Sequence, residues 1–168
     1  VHHPDVRRML MTMRALTEGC RAMAITAAAA CDAGHHHPDA EARKQNQAFY
    51  EFLVPLVKGF STETSLEVTN LGVQIHGGMG FIEETGAAQY YRDAKILTIY
   101  EGTTAIQAND LGARPRVMGG GRTAKAIAAQ IEQTEAALGR SGSAAAQAML
   151  KRLRAAREAF VQVVDFVA

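Results

Sequence analysis

Residues 74–107, QIHGGMGFIEETGAAQYYRDAKILTIYEGTTAIQ, decide how the rest of the chain is read. Five of the chain's 15 glycines fall here, including the pair Gly77-Gly78. A lone carboxylate, Glu101, interrupts the otherwise apolar run ILTIYEGTTAI. A helix is stopped abruptly, the backbone is stripped of side chains, and an acid stands on an apolar flank. That combination marks a site rather than packing.

On the N-terminal side the sequence is helical scaffold. Pro4 and Asp5 suit a helix start, Pro at the first helical position and the acid at the positive end of the dipole. Val6, Met9, Leu10, Met13, Leu16, Cys20, Met23 and Ala24 then recur at three- and four-residue steps. This helix is expected to end near Ala33, with Gly34 as its stop. Gly34 to Pro38, with three adjacent histidines, reads as a solvated loop rather than a metal site, because neighbouring loop side chains seldom converge on one ion. Asp39 caps a second helix over residues 40–53, which Pro55 kinks or restarts. The pattern Leu56, Val57, Phe60, Thr64, Val68, Leu71 and Ile75 carries it on to His76, giving a long helical hairpin.

On the C-terminal side the helix entered after Glu101 is expected to end near Gly112. Arg114-Pro115-Arg116 and Gly119-Gly120-Gly121 read as a linker over residues 113–122. Beyond it the stripes Ile127, Ile131, Leu138 and Met149, Leu150, Leu153, Phe160, Val163, Val164 predict an amphipathic antiparallel pair over residues 123–168. No segment alternates with a two-residue period, so the class is all-α: an up-down bundle over residues 1–112 plus a C-terminal helical hairpin.

The totals narrow the function classes. A composition of 48% hydrophobic and 21% charged residues is that of a globular protein. A formal net charge of +1 gives no general attraction for nucleic acid or anionic membrane. No apolar run reaches the length of a membrane span. Cys20 and Cys31, eleven residues apart on one predicted helix, sit roughly 16 Å apart and do not pair within it. Free thiols fit a reducing, cytoplasmic compartment. The first residue is Val1, which suggests a piece of a longer polypeptide.

Within the central stretch each feature has a plain reading beside a functional one. A helix C-cap needs one glycine of positive φ; it does not need Gly77, Gly78 and Gly80 together. With Glu83 at the third position and a helix before it, the segment is not a dinucleotide GxGxxG. Bare backbone lets a bulky planar or phosphorylated ligand approach closely. Thr85 is expected to cap a short helix, and Arg92-Asp93 to tie that helix to the turn after it. Thr103 or Thr104 caps the helix that follows Glu101. Desolvation makes a carboxylate on an apolar flank a stronger base toward a carbon acid, and a neighbouring helix N-terminus opposes that effect.

The words Gln74-Ile75-His76-Gly77-Gly78-Met79-Gly80-Phe81, Tyr91-Arg92-Asp93-Ala94-Lys95-Ile96, Ile99-Tyr100-Glu101-Gly102-Thr103 and Ile106-Gln107, in this order, resemble the C-terminal helical domain of the acyl-CoA dehydrogenases. The resemblance covers roughly residues 1–111. With Gln107-Ala108-Asn109-Asp110-Leu111 and the helical tail, it points to a branch with a C-terminal extension, the 3-methylmercaptopropionyl-CoA dehydrogenase type. It implies FAD-dependent α,β-desaturation of an acyl-CoA, the chemistry of fatty-acid β-oxidation, with Glu101 as the base that removes the α-proton. Tyr100 and Gly102 would line the thioester slot. Gly77, Thr103, Thr104, Ala105 and Gln107 would contact FAD, and Gln74 and Gly78 would meet its adenosine-diphosphate part from a neighbouring subunit. The implied partners are an electron-transfer flavoprotein and further copies of the chain, as a homodimer or homotetramer. The family's N-terminal and middle domains and the first helix of this domain are missing, so the 168 residues alone are expected to bind no FAD. An acyl-CoA oxidase and a non-catalytic helical assembly module are the alternative readings.

Overall fold

The computed structural model describes residues 2–117 and 120–167, with side chains described outside residues 113–117. Among them are seven α-helices, one short 3-10 turn and no strand. The chain divides into two compact units, Val1–Asp110 and Leu111–Ala168.

The first unit is built on a long hairpin of α1 (Pro4–His36) and α2 (Ala40–Ile75). The reversal between them needs only three residues because both ends are capped. The Asp39 carboxylate accepts from the N–H groups of Glu41 and Ala42 at 3.2 and 3.3 Å. Arg43 donates to the carbonyls of His37 and Pro38 at 2.7 and 3.1 Å. Met9, Ala27 and Ala30 of α1 and Phe52, Leu53 and Pro55 of α2 are buried. Burying a side chain such as Phe52 or Leu53 contributes roughly 1.5–3 kcal/mol.

Gly34 does not stop α1. The helix runs on to His36, so two of the three histidines expected in a loop are helical. Close packing explains the glycine: a Cβ there would lie 3.3 Å from the backbone N of Gln47. Pro55 likewise lies inside α2, and one helix spans both sides of it. Its ring is buried, while its missing N–H leaves one helical carbonyl without its usual donor.

Beyond α2 come α3 (Gly78–Phe81), a 3-10 turn (Glu83–Thr85) and α4 (Ala87–Leu97), which returns along α2. Gly86, with φ +76°, rather than Thr85, precedes α4. The Thr85 hydroxyl instead reaches back to the carbonyls of Met79 and Ile82. Arg92 also points backward, to Gln89 at 2.7 Å and Glu83 at 3.5 Å, so it ties α4 to the turn before it rather than the one after. Asp93 accepts from Gln89 at 2.6 Å.

Helix α5 (Thr104–Val117) continues through Gly112 and Pro115, where a linker was expected. Met118 and Gly119, also part of that expectation, lie outside the described residues.

In the second unit, α6 (Arg122–Gly139) and α7 (Ala144–Val167) form the expected antiparallel pair. Contacts step evenly along it: Lys125 to Asp165 at 2.8 Å, Glu135 to Arg157 at 2.6 Å, and Gly139 against Leu150. Ala124, Ala128, Ala146 and Val164 are buried between the helices. Glu135, 4% exposed, accepts from Arg157 through both oxygens, with Arg154 at 3.6 Å from one of them. Hydrogen bonding to Arg157 is the main reason its carboxyl is held below the usual glutamate range.

Candidate functional site

Two short turns carry the residues singled out from the sequence. The first closes α2. His76 N–H donates to Gly72 O at 3.4 Å, and Gly77 N–H donates to Gln74 O at 3.0 Å. Gly77 then takes φ +61°, which a residue with a Cβ adopts at a cost. Gly80 is held against the preceding helix so closely that a Cβ would lie 2.2 Å from Val73 O. Gly78 has neither requirement: its φ is not positive, and a Cβ would meet nothing within 4 Å. Gln74, Gly77 and Gly78 are all exposed. The fold therefore accounts for Gly77 and Gly80 and leaves Gly78 as bare backbone facing outward.

The second turn joins α4 to α5. Helix α4 ends with Ile99 and Tyr100 N–H groups donating to Ile96 O at 3.0 and 3.1 Å. Glu101 follows with φ +50°, the only described non-glycine residue of positive φ, and Gly102 follows at φ +93°. A left-handed L-residue costs roughly 1–2 kcal/mol. Such a residue persists where its surroundings over-determine it, and these positions concentrate at functional sites. The Glu101 side chain is exposed, and neither its carboxylate nor its N–H has a hydrogen-bond partner among the described residues. Ile96, Ile99, Tyr100 and Ile106, the apolar flank read from the sequence, are also exposed, between 45% and 55%.

Thr103 is the cap: its hydroxyl accepts from Ile106 N–H at 3.3 Å. Thr104 donates instead to Glu63 of α2 at 2.6 Å. Gln107 folds back over the turn and donates to Gly102 O at 3.4 Å, filling the space a Cβ on Gly102 would occupy. Ala105 is exposed.

Tyr100, Glu101, Gly102, Thr103, Thr104, Ala105 and Gln107 thus share one turn and the helix start behind it. Gln74, Gly77 and Gly78 are not brought to it. Along α2 they lie eleven or more residues beyond Glu63, roughly 16 Å of helix. Two residues that the sequence reading passed over bear on the turn. Lys58 donates to Leu97 O and lies 5.0 Å from the Tyr100 ring centroid, and Glu63 accepts from Thr104. The sequence shows them only as two charges within the apolar pattern of α2, with nothing local to point to their partners. Among the described residues no group of three or more His, Cys, Asp or Glu is placed to hold a metal. No helix among them is long and apolar enough to cross a membrane.

A long helical hairpin with a glycine-rich turn closing α2 and, apart from it, an acid on a left-handed residue between α4 and α5 defines an all-α helical-bundle domain. The family model for the acyl-CoA dehydrogenase C-terminal domain matches residues 1–115. This chain belongs to the acyl-CoA dehydrogenase family. It is 61% identical over 165 residues to 3-methylmercaptopropionyl-CoA dehydrogenase of Ruegeria pomeroyi, a match covering 98% of this chain and 28% of that protein. It is 41% identical over 137 residues to the broad-specificity linear acyl-CoA dehydrogenase FadE5 of Mycobacterium tuberculosis, covering 79% of this chain and 22% of that one. A butyryl-CoA dehydrogenase of Syntrophomonas wolfei is 36% identical over 131 residues, 78% of this chain and 22% of that one. The chain thus spans about a quarter of the length of these relatives. The match to the Ruegeria enzyme takes in the α6–α7 hairpin, which lies beyond the family model.

Proposed function

We propose that this chain is the base-bearing C-terminal domain of an FAD-dependent acyl-CoA dehydrogenase that introduces an α,β double bond into an acyl-CoA thioester. The observation that carries this reading is the Glu101 turn, an exposed and unpaired carboxylate held on a left-handed residue in a chain of this family.

Glu101 takes the α-proton onto its carboxylate. The Glu101 N–H, also without a partner among the described residues, donates to the thioester carbonyl and stabilises the charge that builds there as the α-carbon is deprotonated. Tyr100 and Gly102 line the slot on either side of the base. The residues present fit FAD: Gly78 is bare backbone that the fold does not require, beside Gln74 and Gly77, and Thr103, Thr104, Ala105 and Gln107 start the helix behind the base. FAD, when bound, supplies the acceptor for the hydride leaving the β-carbon. The two FAD-facing turns lie well apart along α2, which supports a homodimer or homotetramer in which Gln74 and Gly78 serve a neighbouring copy's cofactor. Exposed Phe81 and Tyr90, at 81% and 72%, give that face apolar area. The 168 residues alone are proposed not to retain FAD. Electrons pass on to an electron-transfer flavoprotein, and the two free thiols fit a cytoplasmic enzyme.

The 61% relative makes 3-methylmercaptopropionyl-CoA the first substrate to try, followed by butyryl-CoA and longer linear acyl-CoAs. The test is reduction of bound flavin in the full-length protein by this panel, wild type against Glu101→Gln. Loss of reduction by orders of magnitude in the variant is expected. Undiminished reduction would sink the assignment of Glu101.

A further inference from the structure

One and a half turns of α2 grip the Glu101 turn from both sides. Lys58 holds its leading edge, donating to Leu97 O and standing 5.0 Å from the Tyr100 ring centroid. Leu97 is the last residue of α4, so the ammonium meets a carbonyl at the negative end of that helix and a π-face beside it. The neighbouring Gly59 is buried and admits the Gln107 side chain, whose Cβ would lie 3.3 Å from a Cβ placed there. Gln107 in turn donates to Gly102 O. Glu63 holds the trailing edge by accepting from Thr104 at 2.6 Å. Lys58 and Glu63 are separated by roughly 7.5 Å of helix. Between the two grips lies Glu101, left-handed and otherwise unrestrained by side-chain bonds among the described residues.

We propose that Lys58 is a positioning residue for the reaction: by fixing Leu97 O and the Tyr100 ring it sets the direction in which Glu101 presents its carboxylate. This rests on the reading of Glu101 as the base. Lys58 touches neither the thioester nor the transferred proton; it acts through the backbone of residues 97–101. Half-buried on an otherwise apolar pattern, its charge is a poor choice for packing alone. A carbonyl and a ring face that need ordering give it a purpose. Glu63 completes the grip, and the strain at Glu101 is the conformation that this grip maintains.

The test uses the full-length flavoprotein with Lys58→Met, which keeps the stem and loses the charge and donors, and Lys58→Arg, which keeps both. Lys58→Met is expected to lower the rate of flavin reduction about 10- to 100-fold, the scale of a catalytic group displaced by an ångström, with KM little changed. Lys58→Arg is expected to recover most of the rate. Independently of activity, amide hydrogen exchange at Ile99 and Tyr100, both bonded to Ile96 O, is expected to quicken in Lys58→Met while exchange in α1 stays unchanged. An unaltered rate in Lys58→Met overturns the proposal, whatever the exchange shows. So does a uniform rise in exchange across α1 and α2, which would mark a general stability effect. If Lys58→Met does not hold flavin, Lys58→Gln is read by the same criteria. Glu101→Gln run in parallel separates the two claims. An active Glu101→Gln overturns the base assignment, and the role proposed for Lys58 with it. An inactive Glu101→Gln beside a fully active Lys58→Met overturns Lys58 alone.

Discussion

Glu101 occupies a backbone conformation that its own side chain disfavours. Replacing it by Gly removes the Cβ clash of the left-handed region, so Glu101→Gly is expected to raise the stability of the first unit by about 1 kcal/mol while abolishing turnover. Chemical denaturation of the variant beside the wild type checks the sign. A destabilised Glu101→Gly would mean that the carboxylate contributes to the fold after all. The glycines of the other turn divide in the same manner. Gly80→Ala places a Cβ 2.2 Å from Val73 O and is expected to cost at least about 2 kcal/mol. Gly78→Ala meets nothing and is expected to change stability by less than about 0.5 kcal/mol, yet to weaken FAD retention in the full-length protein. If both leave flavin content unchanged, the turn does not face the cofactor.

At the scale of the element, caps and breakers decided where helices begin and where they were expected to end. Asp39 starts α2 with two accepted N–H bonds, and Asp39→Ala is expected to lower the melting stability by about 1 kcal/mol, with Asp39→Asn close to wild type. The sequence reading placed this cap, both ends of α7 and both helices flanking Glu101. Two breakers, Gly34 and Pro115, do not end their helices as expected, and of the two readings of Pro55 the restart is excluded. Gly34, Pro55 and Pro115 all lie inside helices. For Gly34 the reason is tertiary: the glycine serves close contact with Gln47, a partner thirteen positions away that no local pattern reveals. The buried ring of Pro55 is the same kind of information. The Glu101 turn was legible as a turn because a lone acid and helix punctuation coincide there. Lys58 and Glu63 were not, because their partners lie about forty residues downstream.

For the whole molecule, a lean core is the governing fact. No large side chain is fully buried among the described residues, and sizeable apolar residues lie open on both units. Under the proposed function, such faces are where the remainder of a flavoprotein would pack. The purified 168-residue chain is accordingly expected to be colourless; a flavin absorbance band surviving gel filtration would contradict this. The α6–α7 hairpin is held differently, by an ion cluster as well as by alanine packing. Glu135 is held below its ordinary range in the folded hairpin by Arg157 and, less strongly, Arg154. Its contribution is therefore fully present above the ordinary glutamate range and fades as pH falls through that range toward the lowered folded value. Hydrogen exchange of α6 and α7 amides between pH 7 and pH 3 is expected to show that fading, and Glu135→Gln to flatten it. An identical pH profile in the variant would assign the effect to other carboxylates.

The bonds from Lys58 to Leu97 and from Glu63 to Thr104 close chain segments of 39 and 41 residues. The α1–α2 reversal needs only three residues. Segments of such unequal length close at unequal entropic cost, so the two hairpins can zip from their tight ends while the Glu101 turn waits for α4 to find α2. Assembly in that order makes the Glu101 turn a late arrival on the folding pathway. Under the proposed function, a chain folding in that order would have its scaffold in place before the turn that carries its base.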